Sequence, residues 1–423
     1  MIWLLFLVFF MLLFLRFPIA FALGISTLAY VLVAGYPLII IPLKMYSGID
    51  MFVLLSIPGF ILAGNLMNAC GMTDRIIRFC NNLIGHVRGG LSLANIGASM
   101  IFSGISGTAI SDTASIGSVM IPAMKKEGYE ADFACAVTSS SSTIGPIIPP
   151  SLPMIIAGSL TGLSIGRLFL AGAIPGVILA IGLMSVSYMI SRRRNHPKQE
   201  KASWRERGRG LVHAFWALMM TFIILFGIIG GFFTPTEASV VAVLYALFIG
   251  LLVYRTLSWK SLAGVMTNSA GTTASLMVLV GFANLFGWIL VSEQVPQSLA
   301  EWLLTITGNK YLLLLLINII LIIIGSFMET IAALLIVYPV MLKVAVFAGI
   351  DPIQFSVIAV LNLIIGLNTP PVGVCLFVAS GIGRVSLEKT ARAGLPFLLV
   401  SLLVLLLVTY IPSLSLFLPG LAE

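Results

Sequence analysis

Residues 139–158, SSSSTIGPIIPPSLPMIIAG, put Gly145, Pro146, Pro149 and Pro150 inside six positions between two apolar segments. Proline lacks an amide donor, clashes with the preceding turn and holds its predecessor in extended geometry, so a helix entering this stretch unwinds. Lipid cannot satisfy the freed N–H and C=O groups. Such a break persists only where it is buried in protein or lines a polar cavity. Residues 365–371, IGLNTPP, repeat the pattern in the second half of the chain. Two helix breaks at corresponding places in two halves are the sequence pointer to a binding site in a secondary transporter.

The flanking sequence sets the medium. The chain is 59% hydrophobic and 9% charged, with a mean hydropathy of +1.12, outside the range of soluble domains. Runs such as Ile2–Leu15, Leu211–Phe233, Val240–Tyr254 and Leu395–Tyr410 approach or exceed the roughly 20 residues a spanning helix needs. Met1–Leu15 has no basic leader, so a cleaved signal peptide is not expected. The net charge of +8 does not indicate nucleic acid, because Arg192–Arg194, Lys198, Lys201, Arg205, Arg207 and Arg209 share one polar linker, as in a cytoplasmic loop. Cys70, Cys80, Cys135 and Cys375 have no metal spacing and read as small apolar residues.

With the linker 192–210 cytoplasmic, parity orders the rest. Leu211–Phe233 runs outward, Pro235–Tyr254 returns, 261–292 runs outward, and Gln294–Thr307 is an amphipathic helix on the outer surface. Lys310–Ala348, interrupted at 325–329, is a re-entrant hairpin from outside; the broken helix 351–382 crosses inward and Leu395–Tyr410 leads out. The first half mirrors this: Ile2–Leu15, Pro18–Ala34, Asp50–Ala69, a surface segment Gly71–Gly90, a cytoplasmic hairpin Leu91–Lys126 interrupted at 103–108, a broken helix 130–160, and Arg167–Ser191. Of 23 Lys and Arg, only Lys44, Arg167, Lys310 and Lys343 then lie outside, and both termini are periplasmic.

The halves align directly. An offset of 217 pairs Asp112-Thr113 with Glu329-Thr330, Pro122 with Pro339 and Met124 with Met341. An offset of 221 pairs Gly128 with Gly349, Gly145 with Gly366, Pro149-Pro150 with Pro370-Pro371 and Pro175 with Pro396. Phe17-Pro18 and Thr234-Pro235 begin the second helix of each half. The expected fold is an all-α polytopic membrane protein, an inverted-repeat secondary transporter with two re-entrant hairpins and two broken helices. Residues 1–90 give scaffold helices and an inner arm, 91–165 the first hairpin and broken helix, and 166–210 a helix and linker. Residues 211–308 give scaffold and arm of the second repeat, 309–384 its hairpin and broken helix, and 385–423 the C-terminal helix.

Hairpin tips and breaks meeting at mid-membrane would gather carbonyls, hydroxyls and a carboxylate per half, a donor set for Na⁺. One cluster is Ser103, Ser106, Thr108, Asp112 and Gly145; the other is Gly325, Glu329, Thr330, Gly366, Asn368 and Thr369. An ionisable group at membrane depth is costly and by default functional; Asp112 and Glu329 are also placed to cap hairpin helices. The hydroxyls of 139–143, with Ser141, Ser142 and Thr143 nearest the break, either pack helix against helix or meet substrate. Helix N-termini after Pro149-Pro150 and Pro370-Pro371 suit a carboxylate substrate. Glu237 reads as a cap for its Pro-initiated helix. His86, His196 and His213 show no carboxylate partner in sequence and receive no role. No Walker motif, Gly-rich phosphate loop, HExxH or nucleophile elbow occurs, so neither ATP drive nor hydrolysis is supported.

The segments FSGISGTAISDTASIG, TIGPIIPPSLP, GFFTPTEAS, AGIDPIQFSV and IGLNTPPVG resemble the large membrane subunit of the tripartite ATP-independent periplasmic (TRAP) transporters, over essentially the whole chain. The resemblance implies an elevator-type Na⁺ symporter for a carboxylate such as a C4-dicarboxylate, a 2-oxo acid or sialic acid, in a bacterial inner membrane. It implies Na⁺ sites at Ser106, Thr108, Asp112 and Gly145, and at Gly325, Gly366 and Thr369. It also implies two partners, a small four-helix membrane subunit on a separate chain and a periplasmic substrate-binding protein. The competing reading within transport is a stand-alone carboxylate symporter or an ion antiporter of the same superfamily. A membrane hydrolase lacks its nucleophile and base, and a purely structural subunit would not need two mirrored breaks.

Overall fold

The computed structural model describes residues 2–15, 17–307, 309–370 and 372–421, without the side chains at 103–106, 300, 303, 304 and 306. Twenty α-helices fill it. The first half contains α1 (Ile2–Phe14), α2 (Ile19–Val33), α3 (Ile40–Ile49), α4 (Ser56–Ala69), α5 (Met72–Ile84), α6 (Gly90–Ser106), α7 (Ala109–Lys126), α8 (Ala131–Ser141), α9 (Leu152–Thr161) and α10 (Ile165–Arg193). The second contains α11 (Trp204–Ile229), α12 (Pro235–Phe248), α13 (Trp259–Ser292), α14 (Val295–Ile306), α15 (Lys310–Phe327), α16 (Thr330–Phe347), α17 (Pro352–Gly366), α18 (Val374–Gly383), α19 (Leu387–Tyr410) and α20 (Ser413–Leu421). Among the described residues, eight helical stretches are long and apolar enough to cross a membrane. The protein is a multi-pass membrane protein.

The halves interlock. Helix α7 packs on α18 as α16 packs on α9, α8 lies against α19 as α17 lies against α10, and α6–α8 recurs as α15–α17. The second half of each broken helix therefore rests on the other half's helix pair. A separate group forms where α4 lies between α12 and α13, and α13 also carries α2 and α3.

The structure corrects the register of the repeat. Helices α7 and α16 begin and end at an offset of 221, not 217. Their first helical hydrogen bonds agree, Asp112 N to Thr108 O at 3.1 Å and Ala333 N to Glu329 O at 3.0 Å. So do their ends, where Gly128 and Gly349 take φ of 91° and 74°, followed by Tyr129 N to Met124 O and Ile350 N to Ala345 O, both 3.0 Å. One offset thus serves helix pair and broken helix alike. The acid–threonine match at 217 is one helical turn out of register, and Asp112 corresponds to Ala333 while Glu329 corresponds to Thr108.

Other boundaries also differ from expectation. The linker 192–210 shrinks because α10 runs to Arg193 and α11 starts at Trp204, placing Arg205, Arg207 and Arg209 on a helix. The cause is a capping box: Ser203 Oγ accepts from Glu206 N at 3.2 Å and Ser203 N donates to Glu206 Oε2 at 2.7 Å. Helix α19 begins at Leu387, eight residues before Leu395, so Lys389 and Arg392 ride on it, and α3 and α20 were not expected. His196 does have a carboxylate partner. Its ring is buried between Tyr129 and Phe133, with Nε2 2.6 Å from Glu130 Oε2 and Nδ1 3.1 Å from Ser191 Oγ. Burial pulls the Glu130 carboxyl upward, but its hydrogen bond with His196, with Arg194 nearby, holds it below the usual range on balance. These partners are 66 residues apart, beyond the reach of local pattern.

Thr234 and Glu237 form the expected cap of α12, with Thr234 N to Glu237 Oε2 at 2.8 Å and Glu237 N to Thr234 Oγ1 at 3.3 Å. Thr234→Ala is expected to lower stability by about 1 kcal/mol and Thr234→Ser to leave it unchanged. Thermal unfolding in detergent reads both, and equal melting temperatures for all three proteins would count against the cap. The four cysteines are free and buried, as read from sequence.

Candidate functional site

The first break is built from hydroxyls and close backbone packing. Helix α8 ends at Ser141, tightens into a 3₁₀ turn over Ser142–Ile144, and re-forms as α9 after seven non-helical residues, 145–151. Its hydroxyls turn back onto the chain: Thr138 donates to Ala134 O at 2.8 Å, Ser142 to Thr138 O at 2.8 Å and Thr143 to Ser140 O at 2.6 Å. Bonds of this kind compete with the helical ladder and ease unwinding. Ser141 is buried and its Oγ accepts from Ser99 Oγ at 2.8 Å. Ser151 restarts the helix by accepting from Met154 N at 3.3 Å while donating to Pro146 O. Pro149 and Pro150 are buried within the break.

Asp112 meets this break from α7. It is fully buried at the fourth position of the helix, and the cap position is held by Thr108, whose side chain makes no capping bond. A Cβ on Gly145 would fall on Asp112 Oδ2. Glycine here is what lets the unwound backbone reach the carboxylate. Thr108 is extended, with φ −132° and ψ 136°, directly after Gly107 at φ 64°. Ser103 and Ser106 lie on the last turns of α6, but their side chains are outside the described residues.

The second break uses backbone where the first uses carboxylate. Helix α17 ends at Gly366 and closes through Leu367 N to Ile364 O, Asn368 N to Ile365 O and Thr369 N to Gly366 O, at 3.1, 3.0 and 2.9 Å. A Cβ on Gly366 would lie 2.6 Å from Gly325 Cα and 2.7 Å from Ser326 N, and one on Gly325 would lie 2.7 Å from Leu363 O. The two glycines place main chain against main chain. Glu329, by contrast, caps α16: its Oε2 accepts from Ile331 N at 2.9 Å and Ala332 N at 3.3 Å. Thr369 Oγ1 donates to Ile365 O at 2.9 Å. Pro370 is exposed and Pro371 lies outside the described residues.

Asn368 joins the two breaks. Its Nδ2 donates to Ser139 O, in the other half, at 2.9 Å. Its Oδ1 and Thr330 Oγ1 are buried and, among the described residues, have no hydrogen-bond partner, which leaves acceptor oxygens beside the second break. The donor set is thus oxygen only, with one carboxylate on the Asp112 side, and fits a hard monovalent cation. Among the described residues no group of three His, Cys, Asp or Glu could hold a metal ion.

Sequence reading missed the support beneath the first break. Ser92, Asn95 and Ser99 are buried along one face of α6. Asn95 Nδ2 donates to Thr138 Oγ1 at 2.7 Å and Ser92 Oγ lies 2.7 Å from Ser187 Oγ. Their spacing of three and four in an apolar helix was the available signal.

Two interlocked helical halves, each broken at an equivalent glycine and joined across the breaks, define a transporter-type membrane protein. The family model described as the tripartite ATP-independent periplasmic transporter, DctM component, matches residues 6–414. The chain is 44% identical over 411 residues to the sialic acid TRAP transporter large permease protein SiaM of Vibrio cholerae, covering 97% of this chain and 96% of that protein. It is 40% identical over 378 residues to the C4-dicarboxylate TRAP transporter large permease protein DctM of Pseudomonas aeruginosa, covering 89% and 88%. In fold it resembles the YdaH transporter of Alcanivorax borkumensis, with a TM-score of 0.56 at 16% identity over 84% of this chain and 83% of that one. The chain belongs to the DctM family of TRAP transporter large permeases. It is a permease and not an enzyme.

Proposed function

We propose that this chain is the translocating subunit of a Na⁺-coupled importer of an organic carboxylate, working with a small membrane subunit and a periplasmic binding protein. The observation that carries the reading is the pairing at the breaks, Asp112 against Gly145 and Gly325 against Gly366, which sets oxygen donors around unwound main chain. The relatives named for sialic acid and C4-dicarboxylates supply the substrate class. The buried helix pairs and broken helices, 91–160 and 310–382, form the moving body, sliding against a frame around α2, α4, α12 and α13. Carrying the site with its ligands avoids stripping a bare carboxylate of its hydration inside hydrocarbon. Each helix pair is a re-entrant hairpin; since a hairpin and two full crossings share parity, the orientation of the other helices does not depend on it.

The test is uptake by proteoliposomes holding both membrane subunits, with binding protein and labelled sialic acid or succinate outside. Uptake driven by an inward Na⁺ gradient, and lost when the binding protein is left out, is expected. Uptake indifferent to Na⁺ would overturn the coupling, and uptake without binding protein would favour a stand-alone symporter. For the motion, Gly287→Cys and Ile336→Cys line opposite walls of one crevice between α13 and α16. Cross-linking them is expected to stop uptake until reduction, and undiminished uptake would rule out sliding.

Orientation has its own check. Lys201→Cys, exposed in the short linker, is expected to react with an impermeant thiol reagent only in inside-out vesicles. Labelling on intact spheroplasts would invert the topology.

A further inference from the structure

A cavity of about 630 Å³ opens between α5, α11 and the joint at Cys70 and Gly71. It lies on other elements than the two breaks, and the transport reading gives it no part. We propose that it binds the phosphate of an anionic phospholipid headgroup.

Its arginines converge from two helices. Arg75 and Arg78 stand one turn apart on the polar side of α5, whose opposite side buries Met72, Ile76, Ile77 and Cys80. Arg209 and His213 stand one turn apart on α11. Arg75 is already held in place: Nη1 donates to Cys70 O at 3.0 Å and Gly71 O at 2.8 Å, and the guanidinium carbon sits 3.7 Å from the Tyr254 ring centre. A guanidinium fixed before the ligand arrives loses little freedom on binding, and its planar fork matches a phosphate. Two carboxylates share the lining. Glu206 Oε2 accepts from Ser203 N at 2.7 Å, and with Asp74 it sets two acidic groups against three arginines, Arg75, Arg78 and Arg209, in the lining.

Depth selects a lipid. Trp204 and Trp259, the first residues of α11 and α13, are each 85% exposed and flank the cavity in sequence at Glu206 and Thr256. Exposed indoles at helix ends sit at headgroup level. A basic pocket between a surface helix and the start of a membrane helix at that level is built for an acidic headgroup.

Native mass spectrometry of the full chain, released from detergent micelles doped with phosphatidylglycerol or phosphatidylcholine, reads the proposal. One tightly held phosphatidylglycerol is expected, preferred at least tenfold over phosphatidylcholine. Arg78→Gln with Arg209→Gln is expected to erase the preference. Asp74→Asn, which removes the opposing carboxylate, is expected to strengthen it, and keeps the test alive where the double variant does not fold. Equal retention of the two lipids, or a preference unchanged by both variants, would overturn the site. Displacement of the lipid by millimolar inorganic phosphate would overturn the lipid assignment in favour of a free-phosphate site.

Discussion

Gly366→Ala is expected to abolish Na⁺-driven uptake, or to weaken the apparent Na⁺ affinity by roughly 10- to 100-fold. The added methyl would lie 2.6 Å from Gly325 Cα and 2.7 Å from Ser326 N, both main-chain atoms that cannot rotate away. The broken helix and its neighbour must separate. Overpacking of this kind is worth about 1–3 kcal/mol, and every 1.4 kcal/mol is about tenfold in affinity. Because the displaced atoms are the ones that would face the ion, the strain falls on binding and not only on folding. Gly271→Ala is the control, since its Cβ position meets open space, with no atom from beyond its own stretch of helix within 4 Å. Normal Na⁺ dependence in a well-folded Gly366→Ala protein would remove the second break from the ion site.

Asp112→Asn is expected to raise the Na⁺ concentration for half-maximal uptake at least tenfold, while Glu329→Gln shifts it less than threefold. Sequence alone would treat the two acids as equivalents, and the structure separates them. Asp112 is buried against the unwound Gly145, whereas Glu329 accepts two main-chain hydrogen bonds at a helix N-terminus, a duty that a glutamine oxygen also performs. A cation and a carboxylate about 4 Å apart attract by about 4 kcal/mol at an effective dielectric near 20. Desolvation takes back part of this, leaving the tenfold or greater loss. Equal shifts for the two variants would return both acids to one role. An unchanged Asp112→Asn would leave that carboxylate as packing.

Much of this protein was legible in its sequence. Proline at Pro146, Pro149 and Pro150 forbids a continuous helix by local sterics, so the break needed no tertiary information. The same holds for the two-half organisation, carried by Gly145 with Gly366 and Gly128 with Gly349, and for the cap at Thr234 and Glu237, where donor and acceptor lie three residues apart. The Ser203–Glu206 cap was equally local, and was hidden only by the basic residues around it. What sequence did not decide was register and distant partnership. A shift of one helical turn keeps hydrophobic faces nearly aligned, so apolar pattern cannot separate offset 217 from 221; the hydrogen bonds that start and close α7 and α16 do. His196 with Glu130 and Asn368 with Ser139 join atoms 66 and 229 residues apart. Such pairs follow from how helices pack, because a side-chain contact is fixed by distance in space, and a single chain's residue order holds no record of it beyond a few turns.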